Sequence, residues 1–153
     1  MVGLLRRIAR ATVWAPGGIR PEDFRYRGIY RFVLPVTDLL FFYFGIVGWH
    51  NGIRSVEEAA GQHWQTWWSL GIAASAVIAF VGVAFPRLWV VEVCGKIPLV
   101  SLVGMYVALF LSRGVDDTKV TATAGLIMIL ILLPLWRLSD LGFEAWQAKR
   151  GRR

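Results

Sequence analysis

The sequence predicts an all-α, polytopic membrane protein, and three observations carry that prediction. Four apolar stretches are long enough to cross a bilayer. Hydrophobic residues make up 56% of the 153-residue chain, where soluble domains hold about 45–50% even with glycine included. Mean hydropathy is +0.54 despite a formal net charge of +7. The charge gathers at the two ends of the chain and the apolar residues between them. The sequence therefore reads as one membrane domain over 1–153, with a basic amino end (1–28), a four-helix membrane region (29–136) and a basic tail (137–153). Short interfacial amphipathic helices are expected at both ends.

Each element has its own signature. A helix through residues 3–13 would place Leu4, Leu5, Ile8, Ala11 and Thr12 on one side and Arg6, Arg7 and Arg10 opposite, the pattern of a helix lying in a membrane surface. The start, "MVGLLRRIARATVWAPGG", has basic residues but no uninterrupted apolar core of about 7–15 residues and no small-residue cleavage pattern, so no removable signal peptide is expected. A helical span needs about 20 mostly apolar residues for roughly 30 Å of hydrocarbon. Four segments meet this: Ile29 to Trp49, Trp67 to Phe85, Leu88 to Leu111 and Val120 to Trp136. Glu92, Gly95, Lys96 and Pro98 weaken the start of the third, so a surface-lying helix from Arg87 to Lys96 ahead of a shorter span is the alternative. Between the first two spans, Ser55 stands three residues before Glu58, the spacing of a capping box that opens a short helix. After the fourth span, Leu138, Leu141 and Trp146 can touch lipid before the chain turns basic.

Orientation follows from the basic residues. Arg6, Arg7, Arg10, Arg20, Arg25, Arg27 and Arg31 flank the first span, Arg87 lies in the link between spans two and three, and Arg137, Lys149, Arg150, Arg152 and Arg153 follow the fourth. The remaining loops hold Arg54, and Arg113 with Lys119, each offset by two acids. The positive-inside bias places both termini in the cytoplasm. Trp49, Trp64, Trp67 and Trp68 would then mark the outer border, with Trp89 and Trp136 at inner borders. The terminal Arg6, Arg7, Arg10, Lys149, Arg150, Arg152 and Arg153 become headgroup contacts, worth about 1 kcal/mol each near an anionic surface. The expected partner is the lipid bilayer and not nucleic acid.

The residues that stand out are polar ones inside apolar spans. Glu92 and Lys96 form an i,i+4 pair in the favourable order. Lys96 lies about 12 Å along the third span from its cytoplasmic border, and Asp38 at a similar depth in the first. A polar intramembrane seam of Asp38, Glu92 and Lys96 is expected, either as a structural lock or as the lining of a water-filled lesion once subunits rearrange. Isolated charges at the bilayer centre would cost about 2.5–3.5 kcal/mol each on insertion scales. Two stripes of small residues, Gly71, Ser75 and Ala79 in the second span and Gly104, Ala108 and Ser112 in the third, predict close helix packing, within one chain or between copies as a homo-oligomer.

Catalysis finds little support. His50 and His63 lie near the outer loop without cysteine or carboxylate at metal-ligand spacing. Neither a phosphate-binding glycine loop nor a nucleophile elbow occurs, and Asp116 with Asp117 reads as loop and helix cap. The single cysteine, Cys94, allows no disulfide within the chain. The sequence points to no enzyme, metal or cofactor.

The basic amino end with "WAPGGIRPEDFRYRG", a first span with "PVTDLLFFYFG", four short spans and a basic tail together resemble small membrane proteins encoded near the lysis genes of tailed phages of actinobacteria, often regarded as holins or holin-like. The resemblance implies residence in the host cytoplasmic membrane, lateral oligomerisation, and then permeabilisation that releases or activates an endolysin, with an antiholin as a possible further partner. It transfers no individual residue role. A small transporter or channel subunit, a noncatalytic assembly protein, and a role in immunity to a second infection are the alternatives.

Overall fold

The computed structural model describes residues 11–15, 27–112 and 118–150. Within them the regular structure is helical. A π-helical turn over Ile29–Val33 runs into α1 (Leu34–Asn51). Then come α2 (Arg54–Ala60), α3 (Gln62–Ala84), a 3-10 turn at Pro86–Leu88, α4 (Trp89–Ser112) and α5 (Thr118–Arg150). Three helical stretches are long and apolar enough to cross a membrane: Ile29–Asn51, Gln62–Ala84 and Pro86–Leu109.

The π-helical turn has a local cause. Pro35 has no N–H to give the carbonyl of Arg31, and its ring crowds that carbonyl. The Leu34 N–H bonds Ile29 instead, and the indole of Trp14 donates to the Arg31 carbonyl at 2.9 Å. Arg31 in turn donates to the carbonyls of Val13 at 3.2 Å and Ala15 at 3.4 Å. The Val13 N–H reaches the carbonyl of Ala84 at 2.9 Å, one of the acceptors that the end of α3 leaves unsatisfied. Residues 11–15 thus form a turn strapped across the base of α1 and α3. The expected amphipathic helix does not extend over Ala11 and Thr12, and its earlier part lies outside the described residues.

At the opposite end, Gly52 (φ +72°) closes α1 and Gly61 (φ +85°) closes α2, left-handed backbone that glycine adopts without a Cβ penalty. The expected capping box does not form: α2 begins one residue ahead of Ser55, with Ile53 at its N-cap and no side-chain cap. The carbonyl of Ile53 accepts from the N–H groups of Val56 and Glu57.

α3 packs along both α1 and α4, and α5 rests chiefly on α4. The core joins Phe41, Trp68, Ile72, Ala76, Leu99, Val103 and Tyr106, with Val56 of α2 at its outer edge. Trp68, expected at a lipid border, is 3% exposed. It donates to the carbonyl of Leu102 at 3.1 Å and stacks obliquely on Tyr106, centroids 5.2 Å apart, so its amphipathic ring finds its polar partner inside the bundle. Trp49, Trp64, Trp67, Trp89 and Trp136 are exposed.

α4 runs unbroken through Pro98, so the alternative of a surface helix ending at Lys96 does not occur. Glu92 and Lys96 continue the core stripe of Leu99, Val103 and Tyr106, which ties the first half of α4 to the bundle. α5 likewise continues past Trp136 to Arg150 without interruption, so the tail begins as an extension of the last helix. Outward faces are apolar: Val36, Leu39 and Tyr43 on α1, Ile78 on α3, Ile97 on α4 and Ile129 on α5 are all exposed.

Candidate functional site

Charged side chains occupy the interior of this apolar bundle, and glycines explain how they get there. A Cβ on Gly82 of α3 would collide with the backbone of Glu92, and a Cβ on Gly95 of α4 would collide with the backbone of Ala79. The two helices therefore meet backbone to backbone, as small residues permit, and Glu92 and Lys96 turn into the core. Glu92 is 2% exposed and Lys96 is fully buried. On α1, Leu34, Asp38, Phe41, Gly45 and Gly48 share the buried face. Asp38 is 2% exposed. Gly45 lies against the backbone of Ser69 and Ala73, holding α1 equally close to α3.

The three predicted seam residues thus lie in the same interior, together with three more. Lys96 Nζ donates to Glu92 Oε1 at 2.5 Å. Arg137 of α5 reaches the same carboxylate with two N–H groups, Nε to Oε1 at 3.0 Å and Nη2 to Oε2 at 3.3 Å. Its Nη1 donates to Asp140 Oδ2 at 2.8 Å and to the Tyr30 hydroxyl at 3.1 Å. Tyr30 completes the ring by donating to Asp140 Oδ2 at 3.0 Å, and its aromatic face lies 4.7 Å below the guanidinium. The planar fork of arginine matches such two-pronged bonding. Asp140 is the outermost member, its side chain 33% exposed.

Arg137, Asp140 and Tyr30 were missed by sequence reasoning, which treated Arg137 as a border cation. The available signal was the i,i+3 spacing of Arg137 and Asp140 directly after an apolar run, with Pro134 and Leu141 buried on the same side. An outward-facing cation would not need a carboxylate one turn on.

The small-residue stripes divide. Ser75 and Ala79 are buried, Ala79 against Gly95 of α4, and Gly71 lies within reach of Leu102. Ala108 is exposed, and a Cβ on Gly104 would meet nothing within 4 Å. The side chain of Ser112, together with Arg6, Arg7, Arg10, Asp116, Asp117, Arg152 and Arg153, lies outside the described residues. Lys149 and Arg150 stand in the last turn of α5, where the Arg150 guanidinium covers the ring of Trp146 at 4.2 Å. His50 and His63 are exposed, His63 accepting from the indole of Trp67 at 3.1 Å.

Comparison with protein-family models, curated proteins and solved structures gave no match.

Proposed function

We propose that this chain is a four-span, holin-like membrane protein: it associates laterally in the bacterial cytoplasmic membrane and permeabilises it, giving an endolysin access to the cell wall. The fourth span is the apolar part of α5, Val120 to Trp136, and both termini face the cytoplasm. The ion-pair ring supports this topology, because Tyr30 in the π-helical turn that leads into α1, Glu92 just after the α3–α4 turn and Arg137 in α5 meet at one end of the bundle. An up-down-up-down path brings those points together.

The observation that carries the functional reading is the combination of an inward polar ring with an outward apolar surface. A protomer so built is stable and harmless in lipid, since its charges are paired away from the hydrocarbon. Gly104 and Ala108 leave part of the outward face of α4 able to approach a second copy closely. Separation of the helices within an assembly would turn the ring toward the new gap and give it a hydrophilic lining.

The test is induced expression in a bacterium beside a cytoplasmic endolysin. The expected result is an abrupt loss of membrane potential followed by endolysin-dependent lysis. Steady potential with good membrane expression would refute the reading. A second reading, a transporter or channel subunit, is favoured by Asp38, whose Oδ2 has no hydrogen-bond partner at a depth where ionisable groups commonly serve ion pathways. It predicts selective flux without timed killing.

A further inference from the structure

We infer that Asp38 is a proton-binding site: its carboxyl takes one proton from solution as the bundle closes, and that proton removes a buried negative charge whose Oδ2 has no bonded partner. Asp38 Oδ2 is the one buried side-chain polar atom among the described residues without a hydrogen-bond partner. Its neighbour on α1, Thr37, is turned away to the carbonyl of Val33 at 2.8 Å. α4 contributes Glu92 and Lys96, while α5 contributes Arg137 and Asp140 through Glu92 and Tyr30. α3 brings no charged side chain into this half of the bundle.

The placement of charge gives the same result. Among the described residues Lys96 and Arg137 direct their bonds to Glu92, Asp140 and the Tyr30 hydroxyl, and an ionised Asp38 would be a buried charge with one oxygen left unbonded. Such a charge is strongly disfavoured, and one proton removes it. Glu92 bonds Lys96 and Arg137 with both oxygens, and Asp140 accepts from Arg137 and Tyr30. Protonating Glu92 would disturb bonds made by both its oxygens, and Asp140 is open to water with its side chain 33% exposed, whereas protonating Asp38 at its unpartnered oxygen disturbs no bond. A metal cation fits poorly here, with one unpartnered oxygen to bind it and the Lys96 ammonium to repel it. When water enters the bundle, the O–H bond of Asp38 breaks and the proton passes to that water. The inference stands whether or not the chain permeabilises membranes.

The full-length chain in lipid vesicles at neutral pH provides the test, using infrared spectroscopy and an apolar carbodiimide. The carbodiimide accepts the carboxyl proton on nitrogen and is attacked at its central carbon by the carboxylate oxygen, so it marks protonated carboxyls. The infrared spectrum should show a protonated-carboxyl C=O band that moves on incorporation of carbon-13 aspartate and is lost in Asp38→Asn. The isotope arm needs no variant and assigns the band to an aspartate, and the carbodiimide map then places it at Asp38 should that variant fail to fold. Carbodiimide mass should map to the Asp38 peptide, unaffected by sodium. Absence of the band, indifference of the band to labelled aspartate, modification at Glu92 instead, or protection of Asp38 by sodium would each overturn the assignment.

Discussion

Arg137 holds the network together, because its guanidinium is bonded to two carboxylates and one hydroxyl on three separate segments. Removing it leaves Glu92 facing Lys96 alone and Asp140 facing Tyr30. Breaking a buried pair by deleting one partner typically costs about 3–5 kcal/mol, and Arg137→Ala should lose stability of that order in denaturant titration in detergent. Arg137→Lys should recover part of the loss, since an ammonium keeps the charge but cannot reproduce the two-pronged bond to Glu92. Equal stability of wild type and Arg137→Ala would mean that the ring contributes nothing to the fold. Asp38, Glu92 and Lys96 were legible in the sequence because a charge within an apolar run stands out. Arg137 and Asp140 were not, because at the end of a span a basic residue has an adequate explanation in topology. Which of its faces turns inward depends on the rotation of α5 about its axis, which is set by packing against α4.

Between elements, the decisive feature is the approach of α3 to α4. Gly82 and Gly95 lie where any Cβ would strike the opposing backbone, so Gly82→Val and Gly95→Val should force the helices apart and destabilise by about 1–3 kcal/mol or more. A Cβ at Gly104 meets nothing within 4 Å among the described residues, so Gly104→Val should leave the protomer's unfolding midpoint close to wild type. If copies associate through the outward face of α4, Gly104→Val should instead reduce their contact, read as weaker disulfide cross-linking between chains carrying Ala108→Cys. Unchanged cross-linking in that variant would remove this face from the assembly. The i,i+4 stripes announced close packing, and Ala79 of the first stripe does meet Gly95 backbone to backbone, but Gly82 and Gly95 themselves fell outside them: a repeat of small residues shows where approach is possible, and the partner helix decides where it happens. The position of Trp68 was obscured in the same way, since an amphipathic ring near a span border suits headgroups and a buried carbonyl equally well.

Over the whole molecule, helices long and apolar enough to cross a membrane were legible in the composition, and their order in the spacing of the apolar runs. What the sequence could not convey is that the bundle is closed, with a bonded polar ring inside and apolar surface outside, because that depends on three segments far apart in the chain meeting at one end. Such a bundle gives a protomer no cause to leak, and under the proposed function permeabilisation would be a property of the assembly. Purified protein reconstituted into vesicles holding a trapped fluorescent dye tests this directly. The account predicts little release at low protein-to-lipid ratio and a steep, cooperative rise above a threshold, reaching molecules larger than simple ions. No dye release at any ratio from correctly folded protein, or leakage confined to protons or one small ion, would contradict it.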